Sequence, residues 1–264
     1  MERKESRFVV NLPGLKCVMF RHQGKFRNHK HNLRIAALLS LVAGIVNVTG
    51  FLAIGRLTTN VTGHFAFFID DVSRHQYFDG FVFLVYILSF LGGAFVSGLL
   101  MELTSGKKIE NFFLPVILES AILVCIAILA EALSGDLIAC SLLFAMGLQN
   151  ALVTKISRAI VRTTHLTGLF TDLGIELSQL LFKKDKHLQK TVMLRLNIIL
   201  FFFLGGLAGG FFYSRIQLYS LSLAAGLLVA GLLFDHFRYR AIKYRRKRGI
   251  KKLQPARKLP GKAA

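Results

Sequence analysis

TTNVTGHF, residues 58–65, decides how this chain is read, because almost the same string returns as TTHLTGLF at residues 163–170. Each copy follows a hydrophobic stretch that holds a Gly-x-x-Asn, Gly44 to Asn47 before the first and Gly147 to Asn150 before the second. Counted without gaps from Gly63 and Gly168, Asp71 meets Glu176 and Ser73 meets Ser178. After a short gap, Leu91-Gly92-Gly93 meets Leu204-Gly205-Gly206. Four correspondences in one order over about a hundred residues point to duplication of a single unit. The chain is therefore read as two halves.

Around both copies lie long apolar runs. The 264 residues are 53% hydrophobic with a mean hydropathy of +0.53, which excludes an ordinary soluble domain and points to a membrane protein. A helix crossing a hydrocarbon core of ~30 Å needs roughly 20 apolar residues. Six stretches meet that need: about 35–55, 80–101, 112–130, 137–154, 194–213 and 216–234. The first starts too far along the chain, and lacks the small-residue cleavage pattern, to read as a secretory signal. The implied division is a basic arm over 1–34, membrane repeats over 35–130 and 131–234, and a polybasic tail over 235–264.

The net charge of +20 would suggest nucleic acid in a soluble protein, but its placement argues otherwise. With six spans and the N-terminus in the cytoplasm, the cytoplasmic segments carry 31 Lys and Arg. The other side keeps Arg56, Arg74 and Arg215. Dropping any one internal span would scatter the charge across both sides, so the distribution predicts six spans with both termini cytoplasmic. The run DHFRYRAIKYRRKRGIKK after Phe234 stands beside the membrane, where anionic inner-leaflet lipids are the nearer partner than nucleic acid.

Within each copy, Thr and Asn are turn and capping residues, and the apolar run that follows reads as a short helix. HFAFFIDDV is too short to cross a bilayer, whereas the second copy extends to Phe182. A polar turn followed by a half-helix is the pattern of discontinuous membrane helices, which tolerate irregular backbone only beside protein or water. The expected fold is an all-α membrane protein, six transmembrane helices arranged as two inverted three-helix repeats with interrupted or short half-helices after the TxTG turns. Three spans per half make the second copy enter from the opposite side, so the two turns should face each other. The space between them should favour an anionic or dipolar molecule, because backbone N–H groups after Gly63 and Gly168 lack helical partners. Thr62 and Thr167 would contact that ligand or cap the helices, Asn47 and Asn150 would bound it, and His64 or His165 would add a titrating donor. The competing view is that the threonines only cap surface helices and that Asn47 holds helices together.

Other residues carry weaker signals. Glu119 is an ionisable group inside the third span, either protonated, paired or lining water. Asp172 and Glu176 share a helix face and are expected to meet nearby lysines. Small-residue pairs such as Gly205 and Gly209 are close-packing surfaces. His22, His29 and His31 belong to the basic arm, which is expected to be largely unstructured, rather than to a metal site. Cys17, Cys125 and Cys140 have no ligand spacing and imply no disulfide framework.

AGIVNVTGF with TTNVTGHF, followed by AMGLQNALVTKISRAIVRTTHLTGLFTDLG, resembles the YoaK family of small bacterial inner-membrane proteins, a domain of unknown function. The resemblance covers about residues 33–235 and implies a multi-pass protein in the bacterial plasma membrane. The family's first motif resembles TGN, so His64 departs from it. No substrate or catalytic residue comes with the resemblance. Neither His-Glu-x-x-His nor Gly-x-Ser-x-Gly nor a nucleotide-binding loop occurs, so neither an enzyme nor a cofactor is expected. The leading function is a small transporter or permease, with a non-transporting scaffold or partner-binding subunit as the alternative. The expected partners are the bilayer and a small-molecule substrate, and the sequence leaves a homo-oligomer open.

Overall fold

The computed structural model describes Phe20 and residues 28–104, 112–183 and 185–253, and among them it is all helix and connections, without strands. The helices are α1 (His29–Ile54), α2 (Val61–Ser73), α3 (Tyr77–Leu103), α4 (Phe113–Leu129), α5 (Gly135–Ser157), α6 (Leu166–Phe182), α7 (Lys186–Ile216) and α8 (Leu221–Leu253). Short 3-10 turns at Ala130–Ala132 and Gln217–Ser220 join α4 to α5 and α7 to α8. Five helical stretches are long and apolar enough to cross a membrane; the last, Lys186–Ile242, holds two of the expected spans in one run. Gln217, with φ 51° and ψ −136°, ends α7 inside that run.

Helix ends follow local chemistry. Pro115 lies in the first turn of α4, where its missing N–H costs no helical bond. Gly55, at φ 67°, closes α1 and donates its N–H to the Phe51 carbonyl. The N-terminal end differs from expectation. The basic arm is helical from His29, because Asn28 accepts the His31 amide through Oδ1 and gives its own amide to His31 Nδ1. His31 is thus a capping residue. Cys17, His22 and most of the arm lie outside the described residues, as does the tail beyond Leu253, whereas its first part continues α8.

Two helix pairs form the frame. α1 packs along α7, and α5 packs along α3, each pair crossing at glycines. A Cβ on Gly44 would sit 2.1 Å from the Phe202 carbonyl oxygen, and one on Gly205 2.1 Å from that of Leu41. In the other pair, a Cβ on Gly147 would meet Phe90 O at 2.1 Å and one on Gly93 would meet Phe144 O at 2.0 Å. Backbones this close leave no room for a side chain, and close approach lets dispersion contacts accumulate along the crossing. Gly93 takes the place of Gly205, not of Gly206, so the true correspondence is one residue off the alignment of the two Leu-Gly-Gly strings. α4 packs on α5 and α8, and α8 on α1, closing the core over Leu39, Val46, Leu123, Met146 and Leu228.

Candidate functional site: the two threonine turns

After Gly55 the chain folds back along α1. Thr58 donates its hydroxyl to the Val46 carbonyl at 3.3 Å, and Thr59 donates to Asn47 Oδ1 at 2.8 Å. Val46 lies eight residues before Ile54, so the turn descends ~12 Å alongside the helix it has just left. α2 starts there and runs back along α3, with His64 beside Tyr86 and Gly80 beside Val72. Asn47, read from the sequence as bounding a ligand or else holding helices together, bonds the turn.

The second turn repeats the arrangement. Asn150 Nδ2 donates to Thr164 Oγ1 at 2.6 Å and its Oδ1 accepts from Thr163 at 3.3 Å. Gln149 Nε2 donates both to Thr163 Oγ1 at 3.3 Å and to the Leu39 carbonyl at 3.0 Å. That contact places Thr163 level with Leu39, while Thr58 is level with Val46. Because Gly50 meets Leu142 and Leu39 meets Gln149, α1 and α5 run antiparallel. The two turns thus approach the middle of α1 from opposite ends and stop about seven residues, ~10 Å, apart.

Their helix starts differ. Asn60 Oδ1 accepts the Gly63 amide at 3.0 Å and so caps α2; Thr62, exposed, does not. His64 is 1% exposed. Its Nε2 lies 2.6 Å from the Leu57 carbonyl, which can only accept, so the proton is on Nε2 and the buried Nδ1 has no partner. Phe83 and Tyr86 flank the ring, with centroids at 5.9 and 5.2 Å. The Arg56 guanidinium stands 4.9 Å from the centre of Phe83, and Tyr86 donates its hydroxyl to Asp136. Burial pushes the imidazole below the ordinary histidine value; the Leu57 bond opposes this and Arg56 adds to it.

In α6 the places are exchanged. His165 occupies the capping position of Asn60 but makes no side-chain cap, and Leu169, buried, occupies the place of His64. His165, Thr167 and Gly168 are exposed. His165 and Gly168 line a cavity of about 700 Å³ bounded by α1, α6, α7 and the connection before α6. Its charged and titrating walls are His29, Arg162, Asp172, His187, Lys190 and Arg195. Arg195 is committed: it pairs with Asp172 at 2.9 Å and forks onto Glu176 with two bonds of 2.8 Å. Those acids meet this arginine rather than the expected lysines. Arg162 and Lys190 pair with no carboxylate among the described residues, so the cavity is net cationic. A second cavity, of about 550 Å³, also reaches Arg162 and His165 and is lined by Asn150 and Lys155.

Of the eight residues singled out from sequence, Asn150, His165 and Gly168 thus line these two cavities. Asn47, Thr62, Gly63, His64 and Thr167 do not. The cationic walls were missed because Arg162, His187 and Lys190 sit in a run of many basic residues, where sequence alone distinguishes none of them. Among the described residues no group of three or more His, Cys, Asp or Glu is placed to hold a metal.

Apolar helices of membrane-crossing length, bundled through glycine crossings and carrying folded-back polar turns, define a multi-pass membrane protein. The chain belongs to the family described as "Protein of unknown function (DUF1275)", which matches residues 35–234. It is 29% identical over 180 residues to the UPF0700 transmembrane protein YoaK of Bacillus subtilis (strain 168), covering 63% of this chain and 78% of that protein. No solved structure matches the chain.

Proposed function

We propose that the protein is a small transporter or permease for an anionic molecule, built from two inverted three-span repeats. The carrying observation is the uncapped start of α6 opening into a cavity whose uncompensated charges are Arg162 and Lys190. Free N–H groups at a helix start, the positive end of its dipole and two cations all favour an anion. Support for inversion comes from the exchange of partners: the span before each turn packs on the span that follows the other turn's short helix, α1 on α7 and α5 on α3, through matched glycines. Three full spans, α1, α3 and α4, precede α5, which is what places the second turn at the opposite end. In this reading both termini are cytoplasmic and the cationic cavity opens toward the cytoplasm.

Purified protein titrated with inorganic phosphate, sulfate and a dicarboxylate tests the site. At least one is expected to bind and to raise the melting temperature, with binding lost in the Arg162→Gln, Lys190→Gln double variant. Flux of the bound anion into proteoliposomes should follow. A folded wild-type protein that binds none of a broad set of anions would leave the scaffold reading in its place. Reporter fusions after residues 105, 185 and 245 should report cytoplasm, and those near 75, 133 and 215 the other side; one reversed fusion rejects the six-span topology.

A further inference from the structure

Glu119 lies six residues into α4, on the stripe that Val116, Leu123 and Ile126 present to the core. It is 0% exposed, and both carboxyl oxygens are buried without a hydrogen-bond partner. The neighbouring Ser120 hydroxyl is spent on the Val116 carbonyl of its own helix. No titratable group on the elements packed against α4 hydrogen-bonds Glu119. Tyr86 bonds Asp136, Lys155 pairs with Glu102, and Asp235 accepts the Phe20 amide; Cys140 and Tyr219 make no bond to Glu119 either. An ionised carboxylate sealed from bulk solvent without a protein partner is far costlier to bury than a neutral acid. Hydrophobic residues fill equivalent positions of the stripe at no such cost, so packing alone does not call for a glutamate.

We propose that Glu119 is a proton-binding site: a neutral carboxylic acid in the conformation described, which releases its proton only when the packing of α4 on α5 and α8 opens to water. Coupling of that proton to anion movement rests on the transport reading above; the occupancy of the site by a proton does not. A cationic cavity for the anion and a separate acid for the proton would let the two move together with less net charge transferred.

Infrared spectra of the protein in liposomes at neutral pH test the proton directly. The carbonyl stretch of a protonated carboxyl is expected in the wild type and lost in Glu119→Gln. Its absence from the folded wild type overturns the proposal. A hydrophobic carbodiimide gives a second readout. The acid's oxygen bonds the carbodiimide carbon, its proton moves to nitrogen, and an oxygen-to-nitrogen acyl shift leaves a stable adduct from which nothing departs. Should the Gln variant fail to fold, mass mapping of this adduct decides: modification at Glu119 supports the site, and modification confined to other carboxylates overturns it. For coupling, the anion identified in the binding titration is the probe. Its flux should respond to a pH gradient in the wild type and lose that response in Glu119→Gln, and an unchanged response defeats coupling alone. Absence of anion flux with the adduct present defeats the transport reading and leaves the proton site standing.

Discussion

The two threonine turns share a framework and differ in what they do with it. In each, the asparagine of Gly-x-x-Asn holds the second threonine of the pair, Asn47 with Thr59 and Asn150 with Thr164. Past that point they diverge. Asn60 closes the start of α2 and His64 is sealed among aromatic rings, whereas His165 leaves the start of α6 open onto a cationic cavity. The same folded-back turn occurs twice, and different residues at two matched positions, Asn60 against His165 and His64 against Leu169, leave one helix start closed and the other accessible.

If the framework is equivalent in both halves, damage to it should cost the same in both. Gly44→Ala, Gly205→Ala, Gly93→Ala and Gly147→Ala each force a methyl group to within about 2 Å of a facing carbonyl. Because backbone cannot step aside as a flexible side chain can, each should lose on the order of 3 kcal/mol or more, at or beyond the usual range for overpacking. Gly98→Ala, with open space around the new methyl, should instead gain roughly 0.5–1 kcal/mol from helix propensity. Unfolding in detergent measures all five, and a large loss confined to one half would break the equivalence.

The capping difference gives a sharper contrast of intermediate size. Asn60→Ala removes the acceptor for the Gly63 amide and should cost about 1 kcal/mol, while His165→Ala removes no cap and should leave stability nearly unchanged. His165→Asn transplants the first turn's cap into the second. Stability is expected to rise by about 1 kcal/mol while anion binding weakens, because the N–H groups that would meet the ligand are satisfied internally. Tighter binding in His165→Asn would contradict the role given to the open helix start.

Much of this frame is legible in the sequence, and the reasons are local. Apolar runs of span length, Gly-x-x-Asn and the repeated TTxxTG survive as strings because each encodes a short-range constraint: hydrocarbon thickness, a close crossing, a turn bond. The fold-back of each turn by eight or so residues is not local, since it depends on Thr58 finding Val46 and Thr163 finding Gln149 across a gap that no periodicity reports. The first half's candidate residues line neither described cavity for a related reason. His64 looks like a binding residue in isolation, but Phe83, Tyr86 and Leu57 enclose it, and only their packing reveals that.

The smallest expected effect concerns that enclosed histidine. His64→Leu copies Leu169 of the second half and exchanges two opposed contributions. It removes a buried, unpartnered Nδ1, which favours the variant, and it strips the Leu57 carbonyl of its donor, which disfavours it. The net change should stay within about 1 kcal/mol in either direction, because each term is of that order. The pH dependence separates the variant from the wild type more cleanly than the stability does. Since burial holds His64 below its ordinary value, the unfolded chain takes up a proton near pH ~6.5 that the folded chain refuses until a lower pH. Stability contributed by the neutral ring is therefore complete above the unfolded value, declines as pH falls through the window between the two values, and levels off below the folded one. Melting temperatures in detergent from pH ~7.5 to ~5 should show that decline in the wild type and a shallower one in His64→Leu. Equal slopes would mean that the ring is reached by water, and the contrast between a sealed first turn and an open second turn would fail at its most buried residue.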